Sequence, residues 1–129
     1  MNDLNKIGRI SSINYKNGTA QVVYKDRDNM VTGDIPFLAN EYLMPKVGDM
    51  VVVLHMKNSS KAGVIIGPIY NDDNRPGISG KNKFIKEMTD KACMKAEGGK
   101  LTISADDIVL TCSSGTATLA EIISHIRSH

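Results

Sequence analysis

Residues 50–56, Met50-Val51-Val52-Val53-Leu54-His55-Met56, decide the fold class. The run is β-branched, continuous and too short for a globular helix, so it reads as a strand buried on both faces. His55 continues that strand and is expected as a structural histidine, not a ligand. Immediately upstream, Lys46-Val47-Gly48-Asp49 is a turn, and Glu41-Tyr42-Leu43-Met44-Pro45 is expected to form a helical turn. Downstream, a polar loop over 57–61 leads to Gly63-Val64-Ile65-Ile66-Gly67-Pro68-Ile69-Tyr70, a second strand whose glycines mark bends or close backbone approach.

Toward the N-terminus, Lys6 to Ile13 carries Ile7, Ile10 and Ile13. The three-residue step from Ile10 to Ile13 breaks alternation and predicts a bulge near Ser11-Ser12. Asn14-Tyr15-Lys16-Asn17-Gly18 holds the Asn-Gly signal of a tight hairpin into Thr19 to Lys25. After the polar loop 26–29, Met30 to Leu38 reads as one extended segment with Ile35 and Phe37 on a common face and Pro36 at an edge or strand end. Five strands in about seventy residues suit a small Greek-key barrel of the OB type. The run Asn71-Asp72-Asp73-Asn74-Arg75-Pro76-Gly77 ends it, which gives a first domain over 1–77.

From 78 to 117 the pattern changes to short strand candidates at 83–88, 92–96, 100–104 and 108–112, with turns between them. Large apolar residues are too sparse there to build a core in one chain. A ladder of this kind gains stability by docking on copies of itself, so intertwining with identical chains is expected. The segment 118–129 switches to helical period. Thr118-Leu119-Ala120-Glu121 is a capping box, and Leu119, Ile122, Ile123 and Ile126 share one face. In heptad terms Leu119, Ile122 and Ile126 form a seam, with His129 at the next seam position and His125 beside it.

The chain has 129 residues, 41% apolar and 23% charged, with sixteen Lys+Arg against fourteen Asp+Glu for a net charge of +2. So weak a field argues against a dedicated nucleic-acid binder. Trp is absent, and Tyr15, Tyr24, Phe37, Tyr42, Tyr70 and Phe84 are scattered, not interleaved with a basic groove. No apolar run approaches the length of a membrane span and no signal peptide is read at the N-terminus. Cys93 and Cys112 are too few for a disulfide scaffold or a four-ligand zinc site and are expected as free thiols buried as small apolar side chains. The pairs Asp26/Asp28 and Asp72/Asp73 sit in turn-rich loops with no accompanying nucleophile, so they read as solvated turn residues instead of acid–base pairs. Neither a Gly-x-Ser-x-Gly nor a phosphate-cradling glycine motif occurs. No catalytic residue is assigned.

The combination of Ile7-Gly8-Arg9-Ile10-Ser11-Ser12-Ile13, Gly18 with Gln21-Val22-Val23, Val47-Gly48-Asp49-Met50-Val51-Val52-Val53-Leu54 and Gly63 through Asp72 resembles the phage baseplate assembly protein V family. That family forms the central spike of contractile phage tails and phage-tail-like bacteriocins. The resemblance covers residues 6 to 77. It implies an N-terminal five-stranded OB-fold collar and a trimeric β-prism or β-helix needle over 78–117. It also implies a homotrimer that caps the tail hub protein of the baseplate and pierces the target cell envelope, in a virion or tailocin particle made in the bacterial cytoplasm. The needle is short for the family and ends in a helix, and there is no room for the lysozyme domain of larger spikes, so muralytic activity is not implied. Some relatives hold an iron ion at the tip with His-x-His pairs from three chains. Here the spacing is His-x-x-x-His, leaving two readings of His125 and His129: ligands of a tip iron or zinc ion, or solvated residues of a frayed end. The alternative to a spike is a free OB-fold module binding single-stranded nucleic acid or protein.

Overall fold

The computed structural model describes residues 5–56 and 63–128. The protein is mainly β, with several antiparallel sheets and a C-terminal helix, and it divides into two compact units, Met1–Arg75 and Pro76–His129.

In the first unit, β1 (Asn5–Asn14) pairs antiparallel with β2 (Thr19–Tyr24), and the register slips between Ile10 and Ser12. The bulge thus falls at Ser11, where the broken alternation predicts it. The connecting turn spans four residues, with Gly18 N donating to the Asn14 carbonyl at 3.0 Å. Gly18 alone in this turn takes a positive φ, +67°, which a residue without Cβ adopts at little cost. A two-residue turn of the usual Asn-Gly kind would need positive φ at both positions.

The expected single segment from Met30 to Leu38 is broken into β3 (Met30–Val31) and β4 (Ile35–Pro36), both paired with β2. Thr32 is the cause. Its buried Oγ1 accepts from Val22 N at 3.0 Å and donates to the Gly33 carbonyl at 2.7 Å, so a side chain takes the ladder position of a backbone carbonyl. The helical turn expected at 41–45 is also not formed. Pro45 biases Met44 away from helical backbone, and Tyr42 Oη donates to the Tyr15 carbonyl at 2.9 Å.

The strands β5 (Met50–His55) and β6 (Gly63–Pro68) complete the unit: β1 pairs β5, β5 pairs β6, and Phe37 makes a parallel bridge to Ile65. Pairing therefore runs from β2 through β1, β5 and β6 and returns through residues 35–37 to β2. Ile10, Ala20, Val22, Tyr24, Ile35, Val51, Val53 and Ile65 fill the interior. Each large aliphatic side chain in this set contributes about 1.5–3 kcal/mol relative to exposure. The stretch 50–56 is not buried on both faces as expected. Val51, Val53 and His55 are buried, whereas Met50, Val52 and Leu54 are half-buried, because one face of a strand in a closed sheet points outward.

Tyr24, 1% exposed, shares a hydrogen bond with buried His55. Burial, aided by the nearby Asp26 carboxylate, pushes the Tyr24 phenol up from 10.0 to about 12. Folding thus favours the neutral phenol. The resulting stability is complete below the unfolded value and is lost as pH rises toward the folded one, a loss of about 2–3 kcal/mol between roughly pH 10 and 12. Denaturant melts across that range should show this loss in the natural protein, and Tyr24→Phe should remove it.

In the second unit, β7 (Lys83–Thr89), β8 (Ala92–Glu97) and β9 (Lys100–Ser104) form an antiparallel sheet in that order. A separate hairpin joins β10 (Val109–Cys112) to β11 (Gly115–Thr118) through Ser113-Ser114. The helix α1 (Leu119–Arg127) follows directly. Its capping box forms as its sequence dictates: Glu121 N donates to Thr118 Oγ1 at 3.2 Å, and Thr118 N to Glu121 Oε1 at 2.9 Å. Asp107 adds a further acceptor, taking Ala120 N at 3.2 Å. With nine residues the helix is marginal alone, and Thr118→Ala should cost it about 1 kcal/mol. Faster amide exchange across 119–127, with exchange in the first unit unchanged, checks this.

Candidate functional site

Register determines what the second unit offers. Phe84 opposes Ala96, which opposes Leu101; Lys86 opposes Met94, which opposes Ile103. Directly paired residues share a face of a sheet, so Phe84, Met94, Ala96, Leu101 and Ile103 lie together. The opposite face carries Lys83, Glu97 and Lys100 in one row, Ile85, Lys95 and Thr102 in the next, and Glu87, Cys93 and Ser104 in a third. On that face Lys83 Nζ reaches Glu97 Oε1 at 3.1 Å and holds its carboxyl below the usual range. The sheet is two-faced, charged on one side and, apart from Lys86 in the row of Met94 and Ile103, apolar on the other.

Among the described residues of the second unit, none forms a layer that buries the apolar side. Phe84 is 53% exposed, Leu101 64% and Ile103 50%. The β10–β11 hairpin is also two-sided, with Leu110, Cys112, Gly115 and Ala117 on one face and Val109 with three threonines, Thr111, Thr116 and Thr118, on the other. Among the described residues of the second unit none is buried. A sheet with one solvated face normally packs its other face on a core, and contiguous exposed apolar patches of this kind mark interaction surfaces.

The apolar face of α1 shares this exposure in part. Leu119 and Ile122 are half-buried, while Ile123 and Ile126 are exposed, Ile126 to 66%. A cavity of about 270 Å³ opens beside the start of the helix, lined by residues that include Ile103, Ile108, Leu119 and Ile123. His125 lies in the last turn, and His129 lies outside the described residues, so the pair is not brought together among them. The described residues of one chain hold no group of three His, Cys, Asp or Glu suited to a metal ion.

The other sequence candidates separate. Asp26 lies in the single 3₁₀ turn Lys25–Arg27 and Asp28 follows it with φ 55°, both exposed. Asp72 accepts from Arg75 at 3.2 Å, and Asp73 lies 3.8 Å from Arg9 while its backbone N donates to Asn71 Oδ1. Both pairs are turn carboxylates on the surface. Cys93 is half-buried and Cys112 exposed, so the expected burial of both thiols is not reached within one chain. Pattern reading at the sequence level missed Thr32 and Asp107. A threonine between two short apolar stretches, and an aspartate a dozen residues before a capping box, carry no local signal of the roles they take.

No protein-family model matches the sequence, and no curated protein matches it.

Proposed function

We propose that the chain is the central spike of a contractile injection apparatus, a homotrimer whose first unit is an OB-type collar seated on the tail hub and whose second unit is the envelope-piercing needle. One observation carries the reading: a folded β unit with no buried residue among those described, whose sheet turns an apolar face to solvent. Three such faces turned toward one axis bury one another and leave the Lys83–Glu97 face outward. The pairing order of the first unit supports the collar, because the parallel bridge from Phe37 to Ile65 closes an otherwise antiparallel sheet of five principal strands. The resemblance of residues 6 to 77 supplies the rest of the assignment. The mechanism is mechanical: contraction drives the tube forward, and interchain strand pairing makes the spike stiff by leaving few open edges.

The native mass of the full chain in solution, followed by its co-sedimentation with contracted and extended tail particles, tests this. A trimer found at the baseplate is expected. A stable monomer overturns the spike and favours the free OB-type binding module, for which a salt-dependent shift of single-stranded DNA is the next measurement.

A further inference from the structure

Chemistry at the β1–β2 turn is independent of that reading. Asn17-Gly18 is the one Asn-Gly dipeptide in the sequence. Asn17 is exposed, and no hydrogen bond to its side-chain amide is formed among the described residues, whereas Asn14 Oδ1 accepts from Asn17 N at 3.1 Å and Asn71 is engaged through both side-chain atoms. Around Gly18 the space is open, with nothing within 4 Å of where a Cβ would stand. The other described asparagines precede residues with side chains, which shield the following amide nitrogen.

We infer that Asn17 is a site of spontaneous deamidation that loosens the first unit. The Gly18 backbone nitrogen, its proton given to hydroxide, attacks Cγ of the Asn17 amide. The Cγ–Nδ2 bond breaks, ammonia leaves, and a five-membered succinimide forms. Water then opens the ring at either carbonyl, giving aspartate or isoaspartate, with one added negative charge in each case. The isoaspartate product inserts a methylene into the backbone of a turn held at two points: Gly18 N donates to the Asn14 carbonyl, and Phe37 N donates to the Gly18 carbonyl, both at 3.0 Å. Phe37 is also the residue that bridges to Ile65, so the added length strains the return of the sheet to β2.

The full chain, aged at 37 °C at neutral and mildly alkaline pH, is followed by peptide mapping. The peptide containing Asn17 should gain the mass of an amide-to-acid exchange several-fold faster than any other asparagine peptide, at a rate rising with hydroxide, and yield both products. Its rate in the folded chain should be measurable but several-fold below that in the urea-unfolded chain, because the Gly18 N–H must first leave the Asn14 carbonyl. Conversion of another asparagine first, or of Asn17 only after unfolding, overturns the site. Asn17→Asp should fold normally and gain no mass at this peptide. The isolated isoaspartate form should exchange the Phe37 amide several-fold faster than the Asn17→Asp variant, and equal protection overturns the structural consequence.

Discussion

Replacing Leu101 and Ile103 together by lysine should convert the proposed trimer to monomers and leave the unfolding midpoint of the first unit where it was. Both side chains stand on the apolar face of β9, half or more exposed in one chain. Fully burying such a side chain contributes about 1.5–3 kcal/mol, and with half or more of each still exposed in one chain, the six in three chains put the loss at about 5–10 kcal/mol before any cost of burying ammonium groups. Thr102→Lys provides the control, because Thr102 pairs with Lys95 on the charged face of the same strand. It should remain trimeric. Sedimentation equilibrium separates the outcomes: a double variant that stays trimeric removes the apolar face from the interface, and dissociation by Thr102→Lys as well points to a weakened strand. Deletion of 78–129 should leave a folded, monomeric first unit, since every residue found buried lies there.

Gly8→Ala should destabilise the first unit by about 2–3 kcal/mol, a large share of the stability of a small domain. Gly8 is buried on β1 facing the interior, and a Cβ there would stand 2.5 Å from Val22 Cγ1 and 2.7 Å from the Tyr24 ring. Both neighbours sit on β2 and are themselves buried, so neither has room to retreat. Urea melts of the full chain check the loss. Adding Val22→Ala relieves the nearer clash but not the ring contact, so the double variant should fall short of additivity without returning to the natural stability. Unchanged stability in Gly8→Ala would mean that β1 and β2 are farther apart than the present packing.

Local chemistry was enough wherever the deciding groups lie a few residues apart. Broken alternation at Ile10 and Ile13 locates the bulge, Asn-Gly locates a turn, and Thr118 with Glu121 locates the start of α1. Sparse large apolar residues after 78 likewise predict a unit without a core of its own, and none of its described residues is buried.

Where the deciding partner is far along the chain, the same reading fails. Nothing near Thr32 announces that its hydroxyl meets Val22 N and divides β3 from β4, and nothing near residue 50 tells a strand buried on one face from one buried on both. Composition cannot tell that Tyr24 and His55 share a hydrogen bond 31 positions apart, or that Phe37 meets Ile65 to return the sheet upon itself. By itself, the sequence determined the helix start and most of the strands and turns, though not β11 or the break between β3 and β4, because these follow from backbone preferences and hydrogen bonds within one or two turns of chain. Only the tertiary structure decided which strands pair and which faces remain uncovered, because pairing and burial depend on where distant segments meet in space.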